Sequence, residues 1–139
     1  MDASEKAKEL DNIEDPQWGI KNPLWGYGGS IEDVRKNIYE KTDYPRENFV
    51  FIKGPVEKTI PTNISKKIAL LRLDTDWYAS TYHELVHLYP ILSSGGVLIV
   101  DDYGWCKGAR EATDKYLKDN KINLYLSRID ESVRLAIKS

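Results

Sequence analysis

Two short acidic runs are the best candidates for chemistry in this chain. Asp74-Thr75-Asp76 and Asp101-Asp102 each close an apolar segment, Ile68–Leu73 and Val97–Val100. Four carboxylates converging at the ends of two buried strands repel one another, so either some hold protons or a cation joins them. Oxygen ligands without Cys or His favour Mg²⁺, Ca²⁺ or Mn²⁺ over zinc. Single members also have plainer uses. Asp76 could cap the helix that follows it, and Asp102 could serve a turn.

A second set of residues competes with the first. His83-Glu84-Leu85-Val86-His87 matches the zinc-protease pattern H-E-x-x-H. The surrounding pattern argues against that use. Tyr78, Tyr82, Leu85, Tyr89 and Leu92 form a stripe at helical spacing. At about 100° per residue His83 and His87 fall nearly opposite it, toward solvent. Glu111 is a conceivable third ligand, but a strand and a turn intervene. Asp74-x-Asp76 also fits the opening of a haloacid-dehalogenase-type phosphatase, yet Tyr78 stands where such enzymes need a small hydroxyl residue.

The elements that must position these residues alternate. Ser30 can cap a helix carrying Ile31, Val34 and Ile38 on one face, with Asp33 completing a weak capping box, and Tyr44-Pro45 should stop it. A short strand is expected at Phe49–Ile52 and another at Ile68–Leu73, interrupted only by Arg72. A helix follows from about Trp77 to Tyr89, a turn at Ser93-Ser94-Gly95-Gly96, and a strand at Val97–Val100. A helix over about Lys107–Lys118 precedes strands near Asn123–Arg128 and Val133–Ile137. Strand, helix, strand, helix implies an α/β fold with a mostly parallel sheet, its strands buried on both faces. The last two strands should form an antiparallel hairpin at one edge. Asp74 and Asp101 lie 27 residues apart, enough for one crossover helix. Both acids then sit at the carboxyl ends of neighbouring parallel strands, where open sheets bind ligands.

Composition bounds the alternatives. With 139 residues, 41% hydrophobic and 30% charged, the chain suits one soluble domain. A net charge of -2 gives no reason to expect nucleic acid. No apolar run approaches the roughly 20 residues that span a bilayer. Met1–Gln17 is polar, unlike a secretory signal, and Cys106 is the only cysteine. A cytoplasmic location is the default expectation. Residues 1–29 read as an irregular arm and 30–139 as the structured part.

From about Ser30 onward the chain resembles the macrocin O-methyltransferase (TylF/MycF) family. The matching runs are Gly54 with Thr59-Ile60-Pro61, Leu70 through Thr81, Leu88-Tyr89-Pro90, Gly95-Gly96, Asp101-Asp102-Tyr103-Gly104, Gly108-Ala109-Arg110 and Arg128-Ile129-Asp130. The resemblance implies a Rossmann-like class I methyltransferase fold using S-adenosylmethionine and Mg²⁺. It implies that Asp74, Asp101 and Asp102 hold the metal and that Asp76 is the general base. It also places Gly54, Pro55 and Val56 near the cofactor's adenine, with Asp74 among the cofactor contacts. The acceptor implied is a hydroxyl of a sugar or sugar-bearing small molecule.

The chain departs from the family at Pro55-Val56, where a bulky aromatic pair is usual, and at Lys58, where an acid is usual. The family's earlier glycine-rich strand-turn and ribose-binding strand have no counterpart in the sequence. The reading is therefore of the C-terminal part of a methyltransferase domain, N-terminally incomplete, weak or inactive alone. A non-catalytic binding module is the alternative. With those strands absent, Phe49–Ile52 should pair directly with Ile68–Leu73, or copies should associate through Ile68–Leu73 as a homo-oligomer.

Overall fold

A computed structural model describes residues 30–139; the arm expected over 1–29 lies outside them. The described residues divide into two compact units, 30–53 and 54–139.

The smaller unit is built on helix α1, Ile31–Lys41. Its start follows the sequence signal closely. Ser30 Oγ accepts from Asp33 N, and the Asp33 carboxylate accepts from Ser30 N, so two otherwise orphaned amides are satisfied reciprocally. A single 3₁₀ turn at Arg46–Asn48 follows. The expected strand at Phe49–Ile52 does not form. Phe49 and Phe51 instead pack their rings against Tyr39 of α1, and Arg46 and Arg35 lie over the Tyr39 and Phe51 rings. Val50, between them, is 81% exposed. Local aromatic contacts outcompete a ladder here, and the pairing expected of this segment rested on that strand.

The larger unit begins with a one-turn helix α2, Val56–Thr59. Strand β1, Ile68–Leu73, helix α3, Tyr78–Leu88, and strand β2, Leu92–Val100, form one crossover. Helix α4, Lys107–Asp119, precedes the short strands β3, Ser127–Arg128, and β4, Arg134–Ile137. The sheet order is β1-β2-β4-β3. Only β1 and β2 run parallel; β2–β4 and β3–β4 are antiparallel. The sheet is mixed rather than mostly parallel, because a single crossover helix joins two of its strands and the rest is the expected hairpin. Residues 123–126 contribute no strand; Leu124 and Leu126 tuck against the core instead.

Burial corrects a second expectation. In β1 Leu71 and Leu73 are buried while Leu70 is 58% exposed, so the strand alternates. Leu71, Leu73, Leu98 and Val100 meet Leu85 of α3, its C-cap Tyr89, and Tyr116 and Leu117 of α4. Both helices thus cover one face of the sheet. Tyr116 packs edge-on against Tyr82 and Tyr89.

The expected turn at Ser93–Gly96 falls inside β2 as an irregularity. Register passes from Ile68↔Leu92 to Leu70↔Val97, so β2 loops out extra residues. Gly95 has φ +76°, and a Cβ at Gly96 would meet Ser93 O at 2.7 Å. Lys138 ties this region down by donating to the carbonyls of Tyr89, Pro90 and Leu92.

Leu85 is fully buried between α3 and the sheet. Leu85→Ala should therefore cost about 2–5 kcal/mol, seen as a lower denaturation midpoint in urea. A change within error would show that α3 does not carry the core.

Candidate active site

β1 and β2 deliver the acids to one place. Leu73 pairs with Val100, and Asp101 N donates to Leu73 O at 2.9 Å, so the acidic runs leave the sheet side by side. Carboxylate oxygens of Asp74, Asp101 and Asp102 lie within 4.8 Å of one another. A second group, Asp76, Asp102 and the Cys106 sulfur, is equally close and shares Asp102. All four acids singled out from the sequence therefore converge.

Their surroundings are electrostatically tense. Burial and a hydrogen bond with Asp76 push the Asp102 carboxyl up to about 7, against the pull of Arg72. Burial also raises Asp74, and Asp101 adds to that, while Arg72 opposes it. Arg72 spans the cluster, with Nη1 2.9 Å from Asp74 Oδ2 and Nη2 3.0 Å from Asp101 Oδ1. Three converging carboxylates offer hard oxygen donors of the kind a small divalent cation takes.

The loop after Asp102 is held by backbone. Trp105 N and Cys106 N donate to Asp102 O, Gly104 N donates to Ser132 O, and Ser132 Oγ donates to Asp101 O. A Cβ at Gly104 would fall 1.7 Å from Glu131 O, so only glycine fits against the hairpin. Asp130 braces that hairpin by accepting from Ser132 N and Val133 N, which holds its carboxyl below the usual range. Arg110 donates to the carbonyls of Tyr103 and Gly104 and lies over the Tyr103 ring.

The loop before α3 is held by side chains. Thr75 Oγ1 donates to Glu84 Oε2 at 2.9 Å, and Ser80 Oγ donates to the Thr75 and Trp77 carbonyls. Glu84 is only 6% exposed, and burial pushes its carboxyl up to about 7. This inward acid removes the zinc-protease reading. His83 and His87 are half-buried rather than solvent-facing, with ring centroids 4.4 Å apart, and His83 Nε2 donates to Ile60 O. Neither metal-capable group among the described residues contains a histidine.

Gly54, Pro55 and Val56 lie at the start of α2. Pro55 O accepts from Lys58 N, Thr59 N and Thr59 Oγ1, and α2 packs against α3. Tyr78 is core and Trp77 half-buried. Sequence reasoning missed Arg72 and Glu84. Strand alternation, which puts 72 and 74 on one side, could have found the first.

A family model described as Macrocin-O-methyltransferase (TylF) matches residues 27–135, and the chain belongs to that family. It is 41% identical over 87 residues to demethyldecarbamoylnovobiocin O-methyltransferase of Streptomyces niveus, covering 63% of this chain and 33% of that protein. It is 39% identical over 101 residues to mycinamicin III 3''-O-methyltransferase of Micromonospora griseorubida, covering 73% and 39%. The solved structure of the O-methyltransferase NovP superposes with a TM-score of 0.74 at 36% identity, covering 79% of this chain and 45% of that one. The chain thus spans between about a third and a half of the length of these relatives.

Glu84 sets a pH dependence of stability. Its folded value near 7 lies above its ordinary 4.5, so the folded state holds that proton more tightly than the unfolded one. The contribution is whole below pH 4.5 and is lost as pH rises through about 7. Asp102, raised the same way, steepens the fall. Urea denaturation at pH 5 and pH 8 should show lower stability at pH 8. Glu84→Gln should recover on the order of 1–3 kcal/mol there. Equal pH slopes for variant and parent would contradict this account of the buried acid.

Proposed function

We propose that this chain carries the metal-binding and catalytic residues of an S-adenosylmethionine-dependent, Mg²⁺-dependent O-methyltransferase. Its acceptor is a hydroxyl of a sugar or sugar-bearing small molecule. The observation that carries the reading is the convergence of Asp74, Asp76, Asp101 and Asp102 at the ends of β1 and β2, in a chain of this family. Relatives named as methyltransferases of novobiocin and mycinamicin precursors support the substrate class.

Asp74, Asp101 and Asp102 would hold the divalent cation, which would supply Lewis-acid polarisation of an acceptor hydroxyl. Asp76, hydrogen-bonded to Asp102, is the general base. It would take the acceptor's proton, and a bound sulfonium donor would supply the methyl group. Arg72 keeps Asp74 and Asp101 together. Gly54, Pro55 and Val56 are the candidates for the adenine end of the methyl donor, and Asp74 for a further contact with it.

The metal assignment is tested by calorimetry with Mg²⁺, Mn²⁺ and Zn²⁺. Binding of Mg²⁺ or Mn²⁺ should be lost in Asp102→Asn. Zinc-selective binding that disappears with His83→Ala would overturn it. The base is tested by methyl transfer from labelled S-adenosylmethionine to a sugar-bearing acceptor. Asp76→Asn should slow transfer by about 10²–10⁴ with metal affinity kept. Unchanged turnover in that variant would remove Asp76 from the mechanism, and binding of metal and donor without any turnover would point to a binding module.

A further inference from the structure

The acid of the H-E-x-x-H run has no part in the chemistry above, yet it lies beneath the loop that carries the proposed base. Asp76 has φ +63°, a conformation rarely adopted by residues other than glycine. Trp77 N donates to Thr75 O at 2.6 Å. A hydrogen bond from residue i+2 back to residue i around a positive φ is a γ-turn of the rare, strained kind. Such turns persist only where neighbouring structure over-determines them.

Here the over-determination is visible, and it falls on Thr75. Its hydroxyl donates to Glu84 Oε2 at 2.9 Å and lies 3.5 Å from Thr81 Oγ1. Its carbonyl accepts from Ser80 Oγ at 3.2 Å as well as from Trp77 N. Ser80, Thr81 and Glu84 are all buried on α3. Thr75 is thus gripped by side chain and by carbonyl, with Asp74 before it and Asp76 after it.

We infer that Glu84 is a positioning residue: through Thr75 it holds the strained turn that aims the Asp76 carboxylate at Asp102. The inference rests on the proposed role of Asp76, but the geometry it asserts is measurable without metal or methyl donor. Gln at 84 and Ser at 75 keep an acceptor and a donor; Ala at 84 and Val at 75 do not.

The experiment is hydrogen exchange of the Trp77 amide, followed by NMR on the full chain, with Mn²⁺ affinity from calorimetry alongside. Glu84→Ala and Thr75→Val should speed exchange of that amide at least tenfold relative to core amides of β2. Glu84→Gln and Thr75→Ser should stay within about threefold of the parent. Mn²⁺ affinity should fall several-fold in the first pair and hold in the second. If Glu84→Ala fails to fold, the Thr75→Val and Thr75→Ser comparison decides alone. Uniform protection of Trp77 across the folded variants would overturn the inference, as would loss of protection in the conservative pair equal to that in the disruptive pair. A parent chain that binds no Mn²⁺ counts against the metal assignment and leaves the amide comparison to decide this one.

Discussion

The parallel pairing of Leu73 with Val100 brings four carboxylates to one corner of the sheet, and much of the surrounding structure answers the repulsion this creates. Two unit charges 4 Å apart repel by about 4 kcal/mol at an effective dielectric of 20. No single neighbour relieves that. Arg72 neutralises part of it from β1 itself, reaching both Asp74 and Asp101. Burial, more than any other cause, raises the Asp102 carboxyl to about 7, which makes its ionisation harder. Arg72 is nonetheless half-exposed, so its pairs are screened by solvent and contribute modestly. The corner is left receptive to a further cation.

Holding such a corner in place requires rigid supports on both sides, and the two sides are built differently. After β2 the support is backbone: the hairpin turn at Glu131-Ser132 closes on Gly104 so tightly that no side chain fits. After β1 the support is a set of buried hydroxyls and an acid on the first turns of α3. The first arrangement ties the site to the C-terminal hairpin, so β3 and β4 serve the acids as well as the sheet. The second ties it to the helix that fills the core through Leu85 and the C-cap Tyr89.

Elements specified by neighbours in sequence were legible. The Ser30–Asp33 capping box, the crossover from Ile68 to Val100, helix α4 and the terminal hairpin each carry a local signal, and each formed within a few residues of its expected bounds. The four acids were legible because strand ends and a crossover-sized interval are enough to bring them together. Features decided by tertiary choice were not. Phe49–Ile52 has every mark of a strand, but Tyr39 offers its phenylalanines a nearer partner. Continuous apolar runs in β1 and β2 suggested two covered faces, whereas α3 and α4 cover one. The glycines at 95 and 96 read as a turn and became an interruption within a strand.

The H-E-x-x-H run shows why the face of a helix outweighs a spacing pattern. A metal site of that kind needs both imidazoles directed at one ligand position and the glutamate beside it. Tyr78 and Leu85 of α3, with the C-cap Tyr89, fix which side is core. Glu84 precedes Leu85 by one residue, so it turns inward beside them and is satisfied by Thr75. His83 and His87 share another face, one of them bonded to a backbone carbonyl. Glu84 lies under the acidic loop, where the Thr75 hydroxyl donates to it. A burial cost is then accepted at position 84, since the carboxyl is forced toward its neutral form, and the turn at Asp76 gains an anchor that an apolar residue there could not supply.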